Sequence, residues 1–454
     1  MFNFKQNQIV NKSPNSKPAD TATPKPEAAT QRRDVFQELK VRLHRRLIDR
    51  LDLTALASLD RSLLRQQIRD AAEVLIQEEG VFLNPDAKER LINEILNETL
   101  GLGPIEQHMS DPEVTDVLVN GYDQVYVEKH GKLELTETKF KDDNHVMLII
   151  DRILSAVGRR VDESSPMVDA RLADGSRVNA IVRPVSLDGP MVSIRKFRAD
   201  VLSMDDLLEN ESISFPMVQF LQGCVRARLN VLISGGTGAG KTTLLNIMSR
   251  YIPEGERIVT IEDSAELRLQ QPHVVRLETR PPNVEGRGTV TQRDLVRNAL
   301  RMRPNRIIIG EVRGPEIYDM LQAMNTGHDG SLTTIHANGP RDVLLRLETL
   351  MLLTGIEIPE KAIRELVSSA INIIIQTSRF SDGTRKISSI SEIVGMEQGT
   401  ISMQEIFLLE KKGIAADGKM IGTFRPTGIR PRYLQEMQAS GVQLSPEIFN
   451  PSSE

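Results

Sequence analysis

Tryptophan is absent from these 454 residues, aromatic side chains make up only 4%, and the formal charge is −5. Proteins that hold single-stranded nucleic acid stack its bases on aromatic rings and track its backbone with a positive groove. The composition supplies neither on the scale of the whole chain, although a local basic patch stays compatible with it. Cysteine occurs once, at Cys224, which excludes an intrachain disulfide and a four-cysteine zinc site within one chain and fits a reducing cytosol. Long apolar runs are missing as well. None approaches the roughly 18 residues that span a bilayer, and the start Met1-Phe2-Asn3-Phe4-Lys5 lacks the apolar stretch of a secretory signal. Any membrane role is therefore expected to be peripheral. What remains is ordinary for a folded protein, with 39% hydrophobic and 26% charged residues. The length exceeds what one core serves, so two or three domains are expected.

Residues 1–33 are rich in Asn, Ser, Pro, Lys, Thr and Ala and too poor in large apolar side chains to bury a core, which predicts a disordered arm. Helical spacing begins with Phe36, Leu39, Leu43, Leu47 and Leu51 and resumes with Ile68, Ala72, Leu75 and Ile76 after a turn near Leu59-Asp60; residues 34–100 read as a helical bundle. Gly101-Leu102-Gly103-Pro104 then interrupts the chain. Alternating strands, a helix from about Asn144 to Val157 and a hairpin around Asp174-Gly175 predict a small α+β domain over 101–200. Beyond it, apolar runs at Asn230 to Ile233, Arg257 to Ile261, Arg306 to Ile309, Ser331 to Ile335 and Asn372 to Thr377 alternate with helical stretches. That alternation predicts a parallel sheet wrapped by helices over 201–396. Residues 397–454 carry no catalytic motif and read as a C-terminal extension. The run Lys40 to Arg46 is either the wet side of a helix, the favoured reading, or a contact for an anionic membrane surface.

Gly235-Gly236-Thr237-Gly238-Ala239-Gly240-Lys241-Thr242 satisfies the phosphate-loop pattern between a predicted strand and a helix. Glycines let backbone N–H groups turn inward on a phosphate, and the helix start, reaching Thr243, adds positive potential. Lys241 is placed for the β- and γ-phosphates and Thr242 for Mg²⁺. Binding alone does not give hydrolysis, which needs carboxylates for the metal and the attacking water. Ile307-Ile308-Ile309-Gly310-Glu311 resembles a Walker B strand with Gly310 in place of the usual Asp. Glu262 and Asp263 end another strand, with Glu266 close behind. Each is either catalytic or a charge that ends a strand. His336, at the end of a third strand, would by itself be a structural histidine; its position favours function.

Walker A, the Glu262-Asp263 box, Arg301-Met302-Arg303-Pro304 leading to Gly310-Glu311-Val312-Arg313-Gly314, and Thr333-Thr334-Ile335-His336-Ala337-Asn338 come in an order that resembles the type II/type IV secretion ATPase superfamily. Within it, Gly101-Leu102-Gly103-Pro104-Ile105, the stretch from Asp169 to Asn179, and Ser193-Ile194-Arg195-Lys196-Phe197 resemble the Tad/Flp pilus assembly ATPases called CpaF. The resemblance covers about residues 34–395 and implies a PAS-like fold for 101–200 and a RecA-like P-loop ATPase fold for 201–396. It implies a ring-shaped homohexamer at the cytoplasmic face of an inner membrane, where ATP turnover moves the domains of neighbouring subunits. It also implies polytopic membrane platform proteins as partners, pilin served indirectly, and no nucleic-acid partner. Glu311 then matches the Walker B carboxylate, Glu262 the acid near Mg²⁺ and water, and His336 a residue that senses or aids hydrolysis. Arg171, Arg177 and Arg195 match arginines that reach the phosphates from the N-terminal domain; the plain alternative is surface ion pairs. Two departures stand out. The single cysteine speaks against the zinc-bearing branch, and Asn305 stands where many relatives have Asp. The leading expectation is a pilus motor; a type IV secretion or conjugation ATPase and a non-hydrolysing nucleotide-dependent scaffold are the alternatives, and a helicase is disfavoured.

Overall fold

The computed structural model describes residues 39, 40, 42–44, 46, 47, 61–197, 202–282, 287–415 and 418–451; the expected arm over 1–33 and the turn near Leu59-Asp60 lie outside them. The chain divides into two units. One holds the described residues up to Ser110 together with Thr138–Ile153, and the other holds Asp111–Glu137 and the chain from Leu154 onward.

The first unit is helical. Helix Pro85–Leu100 begins where its sequence supplies a cap: Asn84 Oδ1 accepts the Ala87 N–H at 2.7 Å, and Pro85 occupies a first-turn position whose N–H would have no partner. Its buried Leu91, Ile92 and Ile95 meet Ile68, Ala72 and Leu75 of helix Arg61–Glu78 and also Leu39, Leu43 and Leu47. Glu98 is nearly buried here, 2.9 Å from His145 Nε2, and accepts from Lys40 Nζ at 3.3 Å. The basic run is matched inside this unit: Lys40 pairs with Glu94 and Glu98, Arg42 with Glu79, and Arg46 with Glu78 and Glu79. Cations already paired offer less to an anionic surface, which favours the helix-face reading.

In the second unit the described strands form two sheets. The smaller is antiparallel and comprises β1 (Val114–Asn120), β2 (Val125–Lys129), β3 (Lys132–Leu135), β4 (Met167–Arg171), β5 (Arg177–Ile181) and β6 (Met191–Arg195), in the order β3-β2-β1-β6-β5-β4. The larger contains β7 (Val231–Gly235), β8 (Ile258–Glu262), β9 (Val274–Glu278), β10 (Arg306–Val312), β11 (Leu332–Ile335), β12 (Ile373–Arg379), β13 (Arg385–Glu397), β14 (Thr400–Ile414) and β15 (Met420–Pro426). Its order is β15-β14-β13-β12-β7-β11-β10-β8-β9. From β12 to β9 neighbours run parallel, whereas β12 to β15 are antiparallel.

The central parallel strands β7, β8 and β11 are buried on both faces, as their near-continuous apolar runs require. Val231, Ile233, Ile308, Ile373 and Ile375 point into one core with helices Phe215–Arg226 and Lys241–Ser249. Leu232, Ile307, Ile309 and Ile374 point into the other with helices Glu316–Asn325, Pro340–Leu352 and Glu360–Ala370. Side chains two apart share a face because the strand period is two. The sheet continues past 397: β13 turns at Gln398-Gly399, both at positive φ (49° and 80°), into β14, a hairpin turn of the primed kind. The boundary expected at 397 therefore falls in a tight turn inside a continuous sheet.

Candidate functional site

The parallel strands all end on one edge, where α/β proteins build their sites. At the end of β7 the chain passes through the glycine loop into helix Lys241–Ser249. Gly240 immediately precedes the helix at φ 93° and ψ 19°, and no side chain caps the helix start, so its first amides face the loop unclaimed by a capping side chain. A left-handed residue here is strained unless it is glycine. Gly235 is fixed by space instead: a Cβ would lie 2.3 Å from Thr377 Oγ1. Lys241 Nζ folds back to donate to the carbonyls of Gly235 and Gly236 at 3.0 and 3.1 Å. Burial holds this ammonium below its ordinary value, while Glu311 nearby acts to raise it. Thr242 and Thr243 are half-buried beside it.

Glu311 and Glu262 stand on the same edge. Neighbouring strands lie about 4.8 Å apart, so Glu311 on β10 is roughly 10 Å and Glu262 on β8 roughly 14 Å across the sheet from β7. Between Ile309 and Val312 the pairing of β10 with β11 slips, and Ile309 and Val312 both enter the same core. A slip of this kind re-aims the residues inside it, here Gly310 and Glu311. Glu311 accepts from Arg313 Nη2 at 2.5 Å, and its charge reaches Lys241.

Glu262 is buried, with Oε1 accepting the N–H groups of Glu266 and Leu267 at 2.8 and 3.0 Å. Oε2 is buried without a partner. Burial pushes the carboxyl up to about 7, against the pull of the two N–H donors; Glu266 adds to the rise and Arg276 opposes it. A Cβ at Gly310 would come within 2.9 Å of Glu262 Cγ. The Walker B departure thus has a physical reason: the Glu262 side chain occupies the space an aspartate at 310 would need.

These residues fit a nucleoside triphosphate with Mg²⁺. The helix start has no side-chain cap, Gly235 is closed to a larger residue by Thr377, Gly238 and Gly240 sit at positive φ, and Glu262 Oε2 is buried without a hydrogen-bond partner. Among the described residues no group of three or more His, Cys, Asp or Glu is gathered to cage a metal. A Mg²⁺ on such a loop would take phosphate oxygens, water and one or two protein oxygens; the oxygen-bearing side chains at this edge that would serve it are Thr242, Glu262 and Glu311.

His336 follows β11 and is exposed at the same edge. The three arginines are cross-strand neighbours, Arg171 opposite Arg177 and Arg177 opposite Arg195 in the ladder β4-β5-β6, but their polar partners differ. Arg195 lies 3.3 Å from Asp116 and its charge is felt at Lys241. Arg171 and Arg177 are held by the chain that follows Glu262: Arg171 Nη2 donates to the Ala265 carbonyl at 2.6 Å, and Arg177 Nη2 to the Ser264 carbonyl at 3.0 Å. Asn305 serves the turn before β10, where its Oδ1 accepts the Arg257 N–H at 2.8 Å.

Two residues escaped the sequence reading. Arg385 Nε donates to the Gly238 carbonyl at 2.7 Å, and Arg379 lies against Gly238 while also meeting Glu128 and the Gly131 carbonyl of the smaller sheet. No local motif marks them, because β12 and β13 reach the loop only through sheet pairing. Arg379 and Phe380 line one side of a cavity of about 420 Å³, with Gly236, Thr237, Ala239 and Asn338 also on its wall.

The profile of the family described as Type II/IV secretion system protein matches residues 98–403. A putative conjugal transfer protein of Mycobacterium tuberculosis is 39% identical over 300 residues, covering 65% of this chain and 85% of that protein. The type IV secretion system protein VirB11 of Bartonella henselae is 30% identical over 328 residues, covering 64% and 91%. Among solved structures, the VirB11 ATPase of Brucella suis in complex with sulphate is 28% identical over 63% of this chain and 94% of that one, with a TM-score of 0.35. Matched over more than half its length, this chain belongs to the Type II/IV secretion system protein family.

Proposed function

We propose that this chain is an ATPase that binds Mg-ATP on residues 235–243 and spends its hydrolysis on mechanical work in an envelope secretion machine, as a homohexamer docked on membrane partners. The observation that carries the reading is the convergence of the glycine loop, Lys241, Glu311 and Glu262 on one edge of a parallel sheet. Lys241 and the free amides of its helix hold the phosphates. Glu311, closer to the loop than Glu262, orients the attacking water and draws on its proton; Glu262 holds the outer water network, His336 reports on the γ-position, and Arg195 brings charge from the smaller sheet. Bound Mg²⁺ would neutralise developing phosphate charge.

The names of the relatives support a type IV secretion or conjugal transfer role. A Tad/Flp pilus role is the second reading, favoured by Gly101-Leu102-Gly103-Pro104-Ile105, the Asp169 to Asn179 stretch and Ser193 to Phe197. Steady-state phosphate release with sizing of the purified chain tests the motor. Phosphate release at background level from an intact assembly would favour the non-hydrolysing scaffold. Deletion in native cells separates the roles: loss of DNA or protein transfer supports the first, and loss of surface pili the second. Among the described residues no helix is long and apolar enough to cross a membrane, so attachment is assigned to the partners.

A further inference from the structure

The turn between β12 and β13 is closed by the Phe380 N–H on the Thr384 carbonyl at 2.9 Å and the Gly383 N–H on the Phe380 carbonyl at 3.0 Å, with Gly383 at φ 87°. The residues that flank it, Arg379 and Arg385, are cross-strand partners, and both reach Gly238. Arg385 Nε donates to the Gly238 carbonyl at 2.7 Å, and a Cβ at Gly238 would lie 2.9 Å from Arg379 Nη1. A peptide group is planar and trans, so the Gly238 carbonyl and the Ala239 N–H point opposite ways. The Ala239 N–H turns back to the Gly236 carbonyl at 3.3 Å, so a grip on the Gly238 carbonyl also holds the curvature of the phosphate loop. The turn is tied in addition to the β14–β15 hairpin. Asp382 Oδ2 accepts the N–H of Met420, the first residue of β15, at 2.8 Å, while Oδ1 accepts the Thr384 N–H at 2.9 Å and its hydroxyl at 2.7 Å. Lys411 Nζ of β14 lies 5.3 Å from the Phe380 ring centre. Burial would raise the Asp382 carboxyl, but the Met420 N–H and Thr384 hold it below its ordinary value, so these bonds have a charged acceptor at neutral pH.

Resting on the ATPase reading above, we infer that Asp382 is a positioning residue for the phosphate loop: by fixing the β12–β13 turn to the start of β15 it sets the Arg385 grip on Gly238, and so ties nucleotide affinity to the β14–β15 hairpin. The sheet order puts this route apart from the carboxylates, because β12 pairs with β7 on one side while β11, β10 and β8 follow on the other. Releasing Asp382 would let the turn shift, loosen the Arg385 bond and open the loop, with Glu262 and Glu311 left in place. The effect therefore falls on holding the nucleotide rather than on the chemical step. Coupling between two sites is reciprocal. A nucleotide that orders residues 236–240 tightens the Met420 amide on Asp382, although that amide belongs to a strand three places from β7 in the sheet.

The test compares the full-length chain with Asp382→Ala, Asp382→Asn, Arg385→Ala and the double variant Asp382→Ala/Arg385→Ala. Amide hydrogen exchange over 236–244 in the nucleotide-free chain, with β8 and β10 as internal references, is read beside ADP affinity and the kcat and KM for ATP. Asp382→Ala should speed exchange over 236–244 about threefold or more with the reference strands unchanged. It should weaken ADP binding and raise KM by roughly tenfold while kcat stays within about twofold; Asp382→Asn, which keeps one acceptor oxygen, should lie between. In the Arg385→Ala background the Asp382→Ala change should add less than about twofold, since its route is already cut. ADP should slow exchange at Met420 in the wild-type chain and leave it unaltered in Asp382→Ala. Unchanged exchange over 236–244, a loss of kcat at constant KM, or full additivity in the double variant would overturn the inference. The exchange measurement needs no nucleotide, so a chain that bound no ADP would remove the ATPase reading while the tie between Asp382 and the loop was still decided.

Discussion

Replacing Gly310 by alanine adds one methyl group and should cost most of the turnover. Gly310 is not at positive φ, so its backbone accepts alanine and only space resists. The new Cβ would lie 2.9 Å from Glu262 Cγ and 3.3 Å from Oε1. Carbon atoms rest at about 3.5–4.0 Å, so Glu262 must retreat by roughly 0.6–1 Å. Its retreat stretches the bonds from Glu266 and Leu267, now 2.8 and 3.0 Å, each worth about 1.5–3 kcal/mol to a charged acceptor. An ångström of misplacement at a catalytic group costs on the order of 100-fold, about 2.7 kcal/mol of barrier. Overpacking alone would lower stability by about 1–3 kcal/mol. The assay pairs steady-state phosphate release with binding of a fluorescent ADP analogue and a denaturant midpoint. ADP affinity should stay within about threefold, because the loop lies roughly 10 Å away across two strand spacings. Wild-type turnover in a chain of undiminished stability would show either that Glu262 does not pack against Gly310 or that its position is irrelevant to the chemistry.

Lys241→Ala should abolish detectable ATP binding, whereas Glu311→Gln should keep binding and slow phosphate release by about 10²–10⁴-fold; equal rates in the Glu311 variant would remove it from the reaction. Arg306 is fully buried, with Nε 2.6 Å from Glu256 Oε2, so Arg306→Ala should cost about 3–5 kcal/mol in denaturant unfolding by stranding that carboxylate. The helical unit should weaken in acid. Burial holds the His44 imidazole below its ordinary value of 6.5 despite Glu98, and the Glu98 carboxyl, which burial would raise, is pulled net below its ordinary 4.5 by His145 and Lys40. Both folded values lie under the unfolded ones, so these groups stabilise fully above pH 6.5; the His44 share is lost as pH falls through its folded value, and the Glu98 share is lost at lower pH still. Denaturant midpoints between pH 7.5 and 3.5 measure this, and His44→Gln should flatten the upper limb alone.

The phosphate loop was legible because it is contiguous: eight residues carry strand end, glycine turns, lysine and hydroxyl together. Glu262 and Glu311 were legible as charges ending apolar runs. The reason for Gly310 was not, since it lies in a side chain on β8, 48 positions earlier by the numbering (310 − 262). Arg379 and Arg385 were hidden for a similar reason, meeting Gly238 only because β12 pairs with β7. The continuation of the sheet past 397 had a readable signal in Gln398-Gly399 between alternating strands. It was missed because a search for catalytic motifs gave the segment no weight. The arginines were grouped by their match to a motif, and the pairing of β4, β5 and β6 does set them side by side; what the sequence hid is that Arg171 and Arg177 meet the chain after Glu262 while Arg195 meets Asp116.

On the function proposed above, the strand order β7-β11-β10-β8 separates holding a nucleotide from consuming it in a way that matters for damage. The loop and its lysine belong to one strand and the helix after it, while Glu262 sits on β8, next to the half-exposed border strand β9. A subunit whose border had frayed would keep its grip on ATP and its place among other copies, yet would never fire. In the ring proposed above such a subunit is a stalled cylinder rather than a missing one, and one of them would hold back its neighbours more than a vacancy would.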